Sequence, residues 1–155
     1  VYSLNTDGSI KVENSGNYFF NNGPESKIVG SALPVDPDKT AHSYRTSILA
    51  RTGADVGVII NDRVGRAWRL GTVSLAIGVA GVTALEDHRG KADLFGVPLK
   101  VSEEAVADEL ASAASLVQGQ SSEGRPVVWI RGFNAFSETQ TAATLVRPLQ
   151  QDLFR

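Results

Sequence analysis

Apolar and polar residues change their period several times along the chain, and each change predicts an element. Val1 to Leu4 and Ser9 to Val12 alternate around Asn5-Thr6-Asp7-Gly8, whose Asp-Gly predicts a hairpin turn. Asn14 to Gly30 has no period; it is rich in asparagine and glycine around Tyr18, Phe19 and Phe20, which reads as an ordered loop pinned by aromatics. Asp36-Pro37 is a helix start, with an acceptor side chain before a proline of fixed φ. Ala41, Tyr44, Ile48 and Leu49 then recur at helical spacing and Gly53 supplies a stop, predicting a helix from Pro37 to Thr52 with His42 and Arg45 on its solvated side.

A continuous apolar run, Asp55 to Ile60, predicts a buried strand that ends abruptly in Asn61 to Gly71, where one aspartate, three arginines and two glycines collect. Thr72 to Val82 alternates small with branched residues and predicts a second buried strand, in which Gly78 and Gly81 admit a close neighbour or a bulge. The mixed charges of Glu86 to Gly96 read as a solvated turn, or as a site in which Asp87 or Asp93 meets a cation while Arg89 holds an anion. Leu99 to Val101 reads as a short strand. Ser102 reads as the cap of a helix opening on Glu103 and Glu104, striped by Val106, Leu110, Ala113 and Val117 and stopped by Gly119. Val127 to Ile130 predicts a third strand, and the tail from Ser137 a short helix ending near Pro148. The expected fold is α+β or α/β, one domain over residues 1–155, with a mixed sheet carrying Asp55 to Ile60, Val73 to Val79 and Val127 to Ile130 under two main helices.

Composition narrows the function classes. The chain has 155 residues, 42% of them hydrophobic and 21% charged, enough for one domain with a core. A net charge of -2 with dispersed arginines offers no field for a nucleic-acid backbone. No cysteine is present, which excludes thiolate chemistry and permits a reducing, cytoplasmic setting. No apolar run approaches the ~18 residues that span a bilayer, so no membrane partner is expected. The chain opens at Val1 and contains no methionine, the pattern of a fragment or a processed chain.

A P-loop, a nucleophile elbow and a His-Glu-x-x-His pair are absent. What remains is a set of carboxylates (Asp62, Asp87, Asp93, Asp108, Glu109) and arginines (Arg66, Arg69, Arg89, Arg147) near glycine-bearing turns. That combination suits magnesium or manganese on hard oxygen ligands with phosphate clamped by arginine. Asp108 and Glu109 stand on an alanine-rich helix, where a carboxylate needs a cation or one of Arg66, Arg69 and Arg89 as partner.

Five ordered motifs carry a resemblance. Gly53-Ala-Asp-Val-Gly-Val-Ile-Ile-Asn-Asp62, continuing through Gly65-Arg-Ala-Trp-Arg69 to Gly71, is followed by Ala76 to Gly81 and by Asp87-His-Arg-Gly90 with Asp93-Leu-Phe-Gly96. Ala105 to Ala114 and Leu145-Val-Arg-Pro148 with Asp152-Leu-Phe-Arg155 complete the set. The chain resembles the coenzyme F420:L-glutamate ligase family over nearly its whole length. The resemblance implies a GTP-dependent enzyme that activates the terminal carboxylate of a deazaflavin precursor as an acyl phosphate, which glutamate attacks to form an amide.

It also implies a divalent cation, magnesium or manganese, a monovalent cation, a homodimer, and small-molecule and nucleotide partners. Asp62, Asp108 and Glu109 are the metal candidates it indicates, and Asn14, Arg66, Arg69, Arg89 and Arg147 the nucleotide or substrate candidates. The chain departs from the family pattern at Tyr18 and Phe20, where an acid and a serine are usual, at Arg63, Val64 and Ser74, and at Gln140, Thr141 and Thr144. The family's N-terminal segment is missing, so a separate N-terminal polypeptide is a further expected partner. A non-catalytic or divergent member binding a ligand or partner through Tyr18 to Phe20 is the alternative reading.

Overall fold

A computed structural model describes residues 33–152, together with the backbone of two short strands near the start of the chain. The chain divides into two compact units, Val1–Asp36 and Pro37–Arg155. In the first unit β1 (Tyr2–Leu4) pairs antiparallel with β2 (Ile10–Val12), the hairpin that the alternation predicts. The loop Asn14 to Gly30, with Asn14, Tyr18 and Phe20, lies outside the described residues.

The second unit is built on one long hairpin. α1 (Pro37–Thr52) has the bounds expected of it and is followed by Gly53 at φ 71°. β3 (Val58–Arg66) and β4 (Arg69–Ala80) then pair antiparallel, joined by Ala67 and Trp68 alone. The strand expected to stop at Ile60 therefore runs on through Asn61, Asp62 and Arg63 to Arg66. Charge marks an exposed ribbon here: residues 65–72 are all exposed, so their side chains need no apolar cover. The three segments expected in one mixed sheet do not form one. All ladders among the described residues are antiparallel and two-stranded, and Val127 to Ile130 lies outside any of them, with Trp129 66% exposed. The class remains α+β.

β5 (Glu86–Asp87) pairs with β6 (Glu103–Glu104) at the base of an irregular excursion. Glu103 and Glu104 are thus strand residues, drawn out of the expected helix by pairing with Asp87 and Glu86. α2 (Val106–Gln118) begins later, Ala105 takes the cap position that Ser102 was expected to hold, and Gly119 ends the helix as read. Leu99 to Val101 is not a strand, although Leu99 exchanges backbone bonds with Lys91 and Gly90 across the excursion. Short 3-10 turns at Ala142–Leu145 and Leu149–Gln151 flank Pro148 in the tail.

The core is made of small side chains: Ala76, Val79, Val82, Ala84, Ala107, Ala111 and Ala142, with Ile59, Leu110 and Leu145 packed against them. Small residues let the helices approach β4 closely. Gly78 lies against the backbone of Pro37, so any Cβ there meets the first turn of α1, which is the close neighbour expected of this glycine. Such a core removes little apolar area per residue, and polar side chains reaching backbone groups supply the remaining specification.

Candidate functional site

Among the described residues no strand pairs with the outer side of β4, so the amides that turn away from β3 need other partners. Side chains of the helices provide them. Asp38, in the first turn of α1, accepts the N–H groups of Val79 and Ala142, each at 2.8 Å. Asp108, in the first turn of α2, accepts the Ala76 N–H at 2.8 Å, and the Ser112 hydroxyl donates to the Ser74 carbonyl at 2.7 Å. The pairing register shows how this is arranged. Ile60 faces Gly78 but Asn61 faces Ala76, so Ile77 is an extra residue and the strand is bulged there. Along a regular strand the amides of residues three apart turn to opposite edges. One inserted residue restores parity, and the Ala76 and Val79 amides both turn outward to meet the two aspartates.

α2 also grips β3. The Asn61 amide donates to Gln118 Oε1 at 2.9 Å and to the Ala111 carbonyl at 3.4 Å, and the Arg63 guanidinium donates to the Gly119 carbonyl. An arginine at a helix C-terminus is favoured by the unpaired carbonyls and the dipole. Side chains alternate along a strand, so Asp62, between Asn61 and Arg63, projects from the opposite face. Asp62 is half-buried, sits opposite Leu75 and accepts the Arg63 N–H through Oδ1 at 2.8 Å. The cation of Arg63, next in sequence to Asp62, is thereby carried to the other face and spent on α2.

The residues expected to hold metal are not gathered in one chain. Asp62 lies on the hairpin face away from α2, Asp108 is engaged at the edge of β4, and Glu109 is exposed on the first turn of α2. Among the described residues the one group of three possible ligands is Glu86, His88 and Glu104, whose donor atoms lie within 4.8 Å of one another. A cation already occupies it. The Lys91 ammonium donates to Glu86 Oε1 at 2.6 Å and to His88 Nδ1 at 3.2 Å, which leaves Nε2 to donate to Glu104 at 3.0 Å. The Lys91 hydrogen bond holds the Glu86 carboxyl below its ordinary range.

The arginines are distributed just as unevenly. Arg66 and Arg69 face each other across the hairpin tip, both exposed, with Arg66 donating to the Leu70 carbonyl at 3.0 Å. Arg89 does not stand ready for an anion: it is bonded to Asp87 at 2.7 Å and lies 3.2 Å from Glu103. Asp93 is no cation ligand as placed, since its Oδ1 accepts the amides of Phe95 and Val97 and shapes the loop tip. Arg147 is exposed, and Asn14 lies outside the described residues.

Sequence reasoning placed Arg45 on a solvated face and missed its role. Its side chain is 11% exposed, ion-paired to Asp55 at 2.7 Å and Glu138 at 2.8 Å, and stacked 5.2 Å over the Phe136 ring. The hydrogen bond it donates to Glu138, then that to Asp55, raises the guanidinium above its ordinary range. Gln140, noted as a departure, mimics a strand partner: its Oε1 accepts the amides of Ala84 and Leu85, and its Nε2 donates to the Leu85 carbonyl. Neither role has a signal in the local sequence. Glu138 lies 93 positions from Arg45, and the backbone partners of Gln140 lie 55 and 56 positions away.

The family model of F420-0:gamma-glutamyl ligase matches residues 4–132. The coenzyme F420:L-glutamate ligase of Methanocaldococcus jannaschii is 50% identical over 123 residues, covering 79% of this chain and 49% of that protein. Those of Methanopyrus kandleri and Archaeoglobus fulgidus are 43% identical over 138 residues and 42% over 144, covering 86% and 90% of this chain and 54% and 57% of theirs. The chain spans about half the length of the curated relatives it matches. Because the matched region holds the whole β3–β4 hairpin with both helices that clasp it, the chain belongs to the F420-0:gamma-glutamyl ligase family.

Proposed function

We propose that the chain is part of a ligase of coenzyme F420 biosynthesis that joins L-glutamate to a deazaflavin precursor through an amide bond. The observation carrying this reading is the family match over residues 4–132, which includes Asp62 and the arginine-bearing hairpin tip. In the reaction GTP transfers its γ-phosphoryl group to a precursor carboxylate, giving GDP and an acyl phosphate. The glutamate amine then attacks the acyl carbon, phosphate leaves, and the amine proton passes to solvent or a base.

The donor set suits a hard divalent cation. Such an ion takes one or two carboxylates and completes its shell with water and substrate phosphates rather than with a protein cage. Asp62 offers one carboxylate whose Oδ1 is tied to a backbone amide, which orients the group. The ion would supply charge neutralisation for the phosphates when bound. Arg66 and Arg69, exposed at the tip and free of carboxylate partners among the bonds described, are suited to bind phosphate.

The chain acts with partners in this reading. Trp68 is 93% exposed and Leu70 98%, and Val127, Trp129, Phe133 and Phe136 are each at least 50% exposed. Apolar surface of that extent marks an interface. A homodimer is the assembly proposed for it. Among the described residues no helix is long and apolar enough to cross a membrane.

Calorimetric titration of manganese, alone and with GDP, tests the reading. Manganese binding that GDP strengthens, and that Asp62→Asn abolishes, supports it. Silence of a dimeric, folded sample toward both would favour the non-catalytic member.

A further inference from the structure

We propose that Asp108 is a positioning residue and not a metal ligand: its carboxylate holds the Ala76 amide at the β4 bulge, and that bulge sets the register in which β3 presents Asp62. The proposal rests on the reading that Asp62 serves a metal–phosphate site. Three observations carry it. Asp108 Oδ1 is 2.8 Å from the Ala76 nitrogen in a half-buried setting. Ala76 is the direct partner of Asn61 and Leu75 that of Asp62, so the held amide lies one pair away from the functional carboxylate. The same face of α2 fixes the other strand through Asn61, bonded to Ala111 and Gln118.

The alternation of side chains explains why register matters here. Were Ile77 to pair instead of bulging, every β4 residue from Ile77 toward the hairpin tip would slip by one position against β3, and strand faces would exchange. The bulge turns the Ala76 amide to the outer edge of β4, where it needs an acceptor. Asp108 is that acceptor, and Ser112, one turn later, secures the Ser74 carbonyl on the same edge. An aspartate serving here is already committed through one oxygen and meets β4 at its outer edge, while Asp62 stands on β3 and projects from the face away from α2.

The conservative variant separates the two roles. Asparagine retains Oδ1 and still accepts the Ala76 N–H, but it carries no charge to bind a cation. Manganese affinity in the presence of GDP is therefore expected to stay within about twofold of the wild type in Asp108→Asn, to fall about tenfold in Asp108→Ala, as outer-shell changes do, and to vanish in Asp62→Asn. Amide exchange followed by NMR gives a second readout: the Ala76 N–H, with the Asp62 and Arg63 amides, exchanges faster in Asp108→Ala and at the wild-type rate in Asp108→Asn. Loss of manganese binding in Asp108→Asn equal to that in Asp62→Asn would make Asp108 a ligand and overturn the proposal. An Ala76 amide that stays protected in Asp108→Ala would overturn it as well. Should the wild-type chain bind no manganese, the metal reading fails on its own, and the exchange comparison still decides whether Asp108 holds the bulge and the Asp62 backbone.

Discussion

The base and the tip of the β3–β4 hairpin are made of the same two strands, yet they are held differently. At the base, Ser74, Ala76, Val79 and Ala80 are buried and the outward amides of β4 end on Asp38 and Asp108. At the tip, residues 65–72 are all exposed and the chain turns through Trp68 at φ 59°, the one described non-glycine residue in the left-handed region. Backbone satisfaction is the difference. Small buried residues bring helices close enough for their acids to reach strand amides, whereas the tip has water for its amides and leaves its arginines and tryptophan exposed.

The largest effect is expected from Asp38, whose one oxygen serves two amides 63 positions apart in the chain, Val79 and Ala142. Asp38→Ala leaves both donors half-buried without an acceptor and is expected to destabilise the second unit by about 3 kcal/mol, with Asp38→Asn costing about 1 kcal/mol. Urea unfolding followed by tryptophan fluorescence or circular dichroism measures both. Equal, small losses in the two variants would mean that helix packing alone holds the base.

A smaller and pH-bounded effect is expected at the β5–β6 ribbon. Asp87 and Glu103, like Glu86 and Glu104, stand directly opposite each other, an arrangement that like charges disfavour. Arg89 closes the first pair, and its side-chain hydrogen bond, helped by its backbone amide, holds the Asp87 carboxyl down at about 2, from an ordinary 3.8. A carboxyl lowered on folding stabilises the folded state above its ordinary value, and that contribution is lost as pH falls toward about 2. The exchange protection of the His88 amide, bonded to the Ser102 carbonyl, is accordingly expected to decline between about pH 4 and pH 2 in the wild type. In Arg89→Gln the decline is expected to begin at higher pH. Identical profiles would show that the ribbon does not depend on the pair.

Much of this architecture was legible in the sequence where local chemistry decides. Asp36-Pro37 and Gly53 bounded α1, Gly119 ended α2, and Gly78 announced a close approach, because capping, proline φ and the lack of a Cβ act within a few residues. The charges of Asn61 to Arg66 read as the end of a strand, although an exposed ribbon accepts charge along its length. Glu103 and Glu104 were misread as a first helical turn because their partners, Asp87 and Glu86, lie 16 to 18 positions earlier. The candidate site was legible as residue types only. Asp62, Asp108 and Glu109 were named together, and the parity of the strand and the position of one bulge separate them, neither of which spacing along the chain encodes.

The smallest effect on stability is expected at the tip, where the comparison is sharpest. Trp68 in the left-handed region carries a steric cost of about 1 kcal/mol that glycine does not have, while glycine adds about 0.5–1 kcal/mol of unfolded-chain entropy. With the indole 93% exposed, no burial is lost either, so Trp68→Gly is expected to change unfolding free energy by no more than about 0.5 kcal/mol. Its consequence belongs to association: sedimentation of wild type and variant over a concentration series is expected to show weaker self-association in the variant at unchanged stability. A loss above about 1 kcal/mol would mean that the tip, like the base, is held by contacts of the folded chain, and the division between a clasped base and a presented tip would fall.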